Sequence, residues 1–255
     1  ANLNISDISY VGFSGQTVFH TNNKSYQIGD PRFLANESRI NVISDFRNHD
    51  IKNGGIGAPL IPAFHKYLYS ENDKKKLVFN IGGIANGTFL KNGEISLASD
   101  VGPGNCLLDL VSKEKFNTSF DNNGDEASKG KINLELLDQL LSGSNQMQYP
   151  RADDKKDYYK IFNNSFFEIN KNSLLRTLSE FTAEKIKDFY DFCDEPDEVI
   201  FHGGGTKNLF LMNLIESKLN TSIKTTDNEI PSKYVEAAGF AYLAYLKKGE
   251  IFEIK

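Results

Sequence analysis

Cysteine is scarce in this chain. Its 255 residues hold two, Cys106 and Cys193, and both sit in apolar helical patterns. They read as core fillers rather than a disulfide framework, which fits a reducing, cytoplasmic setting. Histidine is nearly as rare. His20, His49, His65 and His202 show no metal-ligand spacing, so no metal site is expected. No apolar run approaches the roughly 18 residues of a membrane span, and the lead from Ala1 to Asp7 lacks the apolar core of a signal peptide. An excess of positive charge is missing too. The net charge of −5 gives no support to broad nucleic-acid binding. The longest basic run, Lys74-Lys75-Lys76, reads as a solvated turn. No repeat of fixed period is visible.

What is present is globular: 39% hydrophobic and 25% charged residues, in a chain long enough for a large core and two lobes. The organising stretch is Ser99-Asp100-Val101-Gly102-Pro103-Gly104-Asn105, with Asn80-Ile81-Gly82-Gly83-Ile84-Ala85-Asn86 before it. Leu77 to Ile81 fits a buried strand. Residues 87–90, 91–94 and 95–98 read as strand, turn and strand. That hairpin delivers Asp100 into a Gly-Pro-Gly turn, which opens a helix over 105–116. A carboxylate on a rigid turn beside glycine-exposed amides suits phosphate chemistry. Two hairpin turns and a helix cap would look the same.

The remaining elements follow in order. Residues 7–13 read as a strand, 18–20 and 26–30 as a hairpin, 32–38 as a helix and 41–44 as a short strand. Gly12-Phe13-Ser14-Gly15 nearly spells a nucleophile elbow, but the second glycine comes one residue early, and no acid and histidine follow in order. The strand at 41–44 ends in Asp45-Phe46-Arg47-Asn48-His49-Asp50 before the loop Gly54-Gly55-Ile56-Gly57. Carboxylates there can accept from sugar hydroxyls, and the arginine can fork onto an anion; a surface ion pair would need the same residues. Pro59 reads as an early helix residue and 60–69 as an amphipathic helix. Ser70 to Lys76 is the linker candidate. Helices are expected within 126–142, a polar mobile loop over 143–162, and a long amphipathic helix over 172–193. The strand Glu198 to Phe201 runs into Gly203-Gly204-Gly205 and a helix at 209–219, a nucleotide cradle without the Gly-Lys-Ser/Thr of a Walker loop. A strand at 222–226 and a last helix at 233–247 follow, its Ala237-Ala238-Gly239 permitting close approach to a neighbour.

Three signals stand in one order: a glycine hairpin followed by Asp-x-Gly-Pro-Gly-Asn, a strand ending in three glycines, and a Glu-Ala-rich last helix. Together they resemble the sugar kinase, Hsp70 and actin superfamily, an α/β fold whose two ribonuclease-H-like lobes clamp ATP. Gly15-Gln16-Thr17-Val18, Asp45-Phe46-Arg47 with Asp50-Ile51, Gly57-Ala58-Pro59-Leu60 with Pro62-Ala63-Phe64-His65, and the three glycine loops resemble the anhydro-N-acetylmuramic acid kinases. The resemblance implies a cytoplasmic ATP-dependent phosphotransferase of peptidoglycan recycling. Such an enzyme opens 1,6-anhydro-N-acetylmuramic acid with water and phosphorylates it to N-acetylmuramic acid 6-phosphate. It implies Asp100 as general base on the water and Glu236 near the reacting centre. Gln16, Asp45, Arg47 and Asp50 would lie on the sugar side. Gly82, Gly83, Asn86, Gly203, Gly204 and Gly205 would lie on the nucleotide side. Magnesium on the phosphates and a homodimer are implied by the resemblance alone.

The expected organisation is a partial N-terminal lobe with the sugar loop over 1–72 and a nucleotide-binding lobe over 73–255. Family members begin with a Gly-Thr-Ser-x-Asp-Gly loop on the ATP phosphates. The present sequence starts about 100 residues later, roughly a domain's worth, so the first lobe is expected to be incomplete. Ser14, Ile56 and Val101 depart from the family's residues, and its Ser-Thr-Gly turn is replaced within 152–157. A second reading therefore stays open: a truncated, catalytically inactive relative that binds sugar or nucleotide.

Overall fold

The computed structural model describes residues 4–144, 148–161, 166 and 168–254. The chain divides into two units, Ala1–Leu68 with Tyr234–Lys255, and Tyr69–Lys233. The last helix therefore groups with the first unit, not with the nucleotide lobe where the sequence reading puts it.

In the first unit, short β1 (Val11–Gly12) is followed by the hairpin β2 (Gln16–Thr21) and β3 (Lys24–Ile28). Helix α1 (Pro31–Ser38) is capped by Asp30, whose carboxylate accepts from the amides of Arg32 and Phe33. Then come β4 (Val42–Ser44), α2 (Phe46–Lys52) and α3 (Pro62–Tyr69). Two expectations change here. Residues 46–52 form a helix rather than a loop, and α3 starts at Pro62 rather than near Pro59.

The second unit begins with β5 (Lys75–Ile81), β6 (Ala85–Lys91) and β7 (Glu94–Gly102), then α4 (Cys106–Phe116), α5 (Leu134–Ser144), α6 (Lys155–Ile161) and α7 (Lys171–Phe192). It ends with β8 (Glu198–His202), α8 (Leu209–Leu219) and β9 (Ile223–Thr225). The chain returns to the first unit for α9 (Val235–Tyr245) and β10 (Glu250–Phe252). The 143–162 stretch, expected to be a loop throughout, holds α6; residues 145–147 and 162 lie outside the described residues.

In the first unit β4 pairs parallel with β1 and antiparallel with β10. Ile43, Phe46, Phe240, Leu243 and Ala244 form its core. Small residues let α9 sit close, as expected. A Cβ on Gly12 would fall 2.6 Å from the Phe240 carbonyl oxygen, and Gly239 faces Ile61.

The second unit holds the larger core. Its five strands run in the order β7-β6-β5-β8-β9. β5, β6 and β7 form an antiparallel meander, and β8 and β9 add in parallel. Only β6 opposes the rest, which is the ribonuclease-H-like sheet. Leu77, Val78, Phe79 and Ile81 are fully buried, because both faces of β5 are covered. Phe79 stacks on Phe201 and meets Phe189 of α7 edge-on. Cys106 and Cys193 are buried free thiols in this core, and burial pushes each up to about 12.

Candidate functional site

Three glycine turns meet at the C-terminal end of β5. The carbonyls of Gly82 and Gly83 accept from the amides of Asn105 at 2.8 Å and Cys106 at 2.9 Å. Gly104 takes φ +51°, and a Cβ there would stand 2.5 Å from the Gly82 carbonyl oxygen. Gly203 takes φ +93°, and a Cβ on it would fall 2.3 Å from Asn80 Oδ1. At Gly205 a Cβ would strike Ile81 Cγ2 at 2.2 Å. The glycines at 104, 203 and 205 are thus needed for close approach of backbone to neighbour.

Gly204 differs, because nothing lies within 4 Å of the Cβ it lacks. With Gly205, Asn105, Asp109, Phe120 and Lys207 it lines a pocket of about 420 Å³, a volume suited to a small-molecule ligand. Burial pushes the Asp109 carboxyl up, and the Lys155 charge opposes that. Asp121, also in the wall, is engaged by the amides of Glu126 and Ala127, each at 2.9 Å.

Asp100 lies inside β7, not on the turn where the sequence reading puts it. It faces Asn86 across the ladder, while Ala85 faces Gly102. Val101 is therefore an extra residue, and such a bulge re-aims the side chains beside it. The Asp100 amide donates to the Arg151 carbonyl at 3.0 Å, and its Oδ2 accepts from the Asp153 amide at 2.8 Å. Asn86 thus joins Asp100 on the sheet, whereas Gly82 and Gly83 join the turns.

Residues 151–158 are the contribution that sequence reasoning missed. Arg151 and Asp153 form an ion pair at 3.0 Å, their side chains only 9% and 5% exposed. The Tyr158 hydroxyl donates to Asp153 Oδ2. Lys155 lies over Gly83, where a Cβ would stand 2.4 Å from its Cε. Nothing in the hydropathy of this polar stretch signals a buried pair.

In the first unit, Gln16, Arg47 and Glu236 line one pocket of about 220 Å³ with Ser14, Thr17 and Gln27. Asp45 and Asp50 do not line it. Asp45 stands at the start of α2 in left-handed backbone, φ +56°, and its Oδ1 accepts from Asn48 Nδ2 at 2.5 Å. Asp50 Oδ2 accepts from the Gly57 amide, and Arg47 Nη1 donates to the Gly57 carbonyl, both at 2.8 Å. Arg47 and Asp50 together hold the glycine loop.

The chain matches the description anhydro-N-acetylmuramic acid kinase over residues 1–251. It belongs to that family. The anhydro-N-acetylmuramic acid kinase of Shewanella amazonensis is 38% identical over 255 aligned residues, covering 94% of this chain and 68% of the relative. The one from Neisseria meningitidis serogroup B is 36% identical, covering 95% and 69%. A solved structure, the activator of the 2-hydroxyisocaproyl-CoA dehydratase from Clostridium difficile with bound ADPNP, overlaps 81% of this chain and 68% of its own. Its identity is 15% and its TM-score 0.49. Within the family's α/β fold, the glycine turns and Asp100 lie in the second unit, and Gln16, Arg47 and Glu236 in the first. Among the described residues no group of three or more His, Cys, Asp or Glu is placed to hold a metal ion, and no helix is long and apolar enough to cross a membrane.

Proposed function

We propose that the protein is an ATP-dependent kinase of 1,6-anhydro-N-acetylmuramic acid, acting in cytoplasmic peptidoglycan recycling. The observation that carries this is the 36–38% identity to named kinases of this sugar over 94–95% of the chain. That likeness favours turnover over the alternative of a non-catalytic relative. The glycine turns and their pocket support the second unit as the nucleotide side. Gly204 leaves the room a ligand needs, and Lys207 supplies a positive charge at the wall.

Asp100 takes a proton from water as that water adds to the anomeric carbon. The C1–O6 bond of the anhydro bridge breaks, and O6 takes the γ-phosphoryl group of ATP, leaving ADP. A carboxylate serves as base at neutral pH without special tuning. Gln16, Arg47 and Glu236 orient the sugar by hydrogen bonds and charge, while Asp50 holds the neighbouring glycine loop through the Gly57 amide and Asp45 holds Asn48 at the start of α2. Magnesium neutralises phosphate charge in such transfers. Asp109, in the pocket wall, is the carboxylate that would hold such an ion, together with the phosphates it would screen.

Calorimetry with ATP and with the anhydro sugar, run beside a turnover assay, tests the proposal. Binding of both with one ADP formed per sugar phosphate is expected. Binding of either without turnover would establish the non-catalytic reading instead.

A further inference from the structure

The Asp100 carboxylate is held by a backbone amide in a segment that has no secondary structure of its own. Residues 148–154 lie between α5 and α6, outside any helix or strand. An amide in such a segment can aim a carboxylate only if something else fixes it. Here the fixing is done by side chains. Asp153, whose amide donates to Asp100 Oδ2, is gripped from two sides by its own carboxylate. Arg151 Nε reaches Oδ1 at 3.0 Å and Oδ2 at 3.2 Å, and the Tyr158 hydroxyl closes on Oδ2. Arg151 is itself tied back to β7, since its Nη2 donates to the Val101 carbonyl and its amide to Ser99 Oγ at 2.9 Å. The guanidinium also lies over the Tyr149 ring, 5.1 Å from its centroid. Tyr158 is 1% exposed, so water does not compete for its hydroxyl.

We propose that Arg151, Asp153 and Tyr158 are positioning residues that hold the Asp153 amide against the Asp100 carboxylate and so fix the base for the attacking water. The proposal rests on Asp100 being that base. A buried ion pair is a poor source of net stability, because desolvation offsets its attraction. Its value here is geometric: Arg151 and Tyr158 fix one backbone donor, and Arg151 ties it to Ser99 and Val101, the residues on either side of Asp100. Small displacements of a catalytic group cost rate far more than binding.

Tyr158→Phe is the test, because it removes one hydroxyl and keeps the ring. The expected result is a kcat about tenfold lower, with KM for ATP and sugar each within about twofold. In an Asp100→Asn background the same substitution should cost nothing further. Asp153→Asn, which keeps the backbone amide but weakens the grip, should show the same split and covers the case that Tyr158→Phe does not fold. If Asp100→Asn loses rate while Tyr158→Phe and Asp153→Asn keep the parent kcat, the positioning role is overturned and the base survives. A raised KM at constant kcat, or a full further loss in the Asp100→Asn background, overturns it too. Asp100→Asn matching the parent rate overturns the base itself, and this proposal with it.

Discussion

Gly104 presses on Gly82: a Cβ on the first would come within 2.5 Å of the carbonyl oxygen of the second. The same carbonyl accepts the Asn105 amide, and Thr182 Oγ1 in α7 donates to the Gly104 carbonyl at 3.0 Å. The start of α4 is thereby locked to the turn after β5. Gly104→Ala adds a left-handed backbone penalty to a clash with backbone, so a loss of about 2–4 kcal/mol is expected. Urea unfolding followed by circular dichroism reads it, and a change under 1 kcal/mol would mean the turns are not locked.

The neighbouring glycine should behave in the opposite way. Gly204 has open space before it and lies on the pocket wall, so Gly204→Leu should leave the unfolding midpoint nearly unchanged. It should weaken ATP at least about tenfold by filling the pocket. Calorimetry checks this. Unchanged ATP affinity would remove this pocket from the nucleotide site.

Glu236 shares its pocket with Gln16 and Arg47. Glu236→Gln should lower kcat/KM for the sugar by about tenfold to a hundredfold while ATP affinity holds. Competition by a sugar analogue at fixed ATP checks the split. An equal loss on the ATP side would contradict the assignment of this pocket to the sugar.

His202 closes β8 and is 2% exposed. Burial lowers its pKa to about 4, against about 6.5 in the unfolded chain. The unfolded state therefore binds the proton first as pH falls. The His202 contribution is intact above pH 6.5 and is lost progressively toward pH 4, on the order of 3 kcal/mol in all. Denaturant titrations at pH 7, 5.5 and 4.5 should show the decline, and His202→Gln should flatten it. An identical slope in the variant would assign the decline to other groups.

The meander was legible because each signal had a local cause. Asn92 and Gly93 take φ +52° and +79°, the turn that an Asn-Gly pair favours. Leu77 to Ile81 reads as buried because β5 is covered on both faces. Helix α2 was not legible. It is seven residues long, starts from a left-handed Asp45 without a side-chain cap bond, and has one buried residue, Phe46, so periodicity had little to act on. The apolar pattern of α9 marked it as packed but not against what, and Gly12 and Ile61 supply that partner from the first unit. The glycine turns stood out in the sequence by their spacing, while the roles given to Asn86 and Asp100 came from the family resemblance. Arg151, Asp153 and Tyr158 did not stand out, because their ion pair and hydrogen bond lie in a stretch whose sequence reads as solvated.

The catalytic claim rests on Asp100, and one paired measurement tests it most directly: ATP affinity by calorimetry and sugar-phosphate formation, for the parent chain and for Asp100→Asn. Bound ATP should be equal within a few-fold, while the rate should fall by about a hundredfold to ten-thousandfold, the range a lost general base costs. A variant that phosphorylates the anhydro sugar within tenfold of the parent would contradict the account.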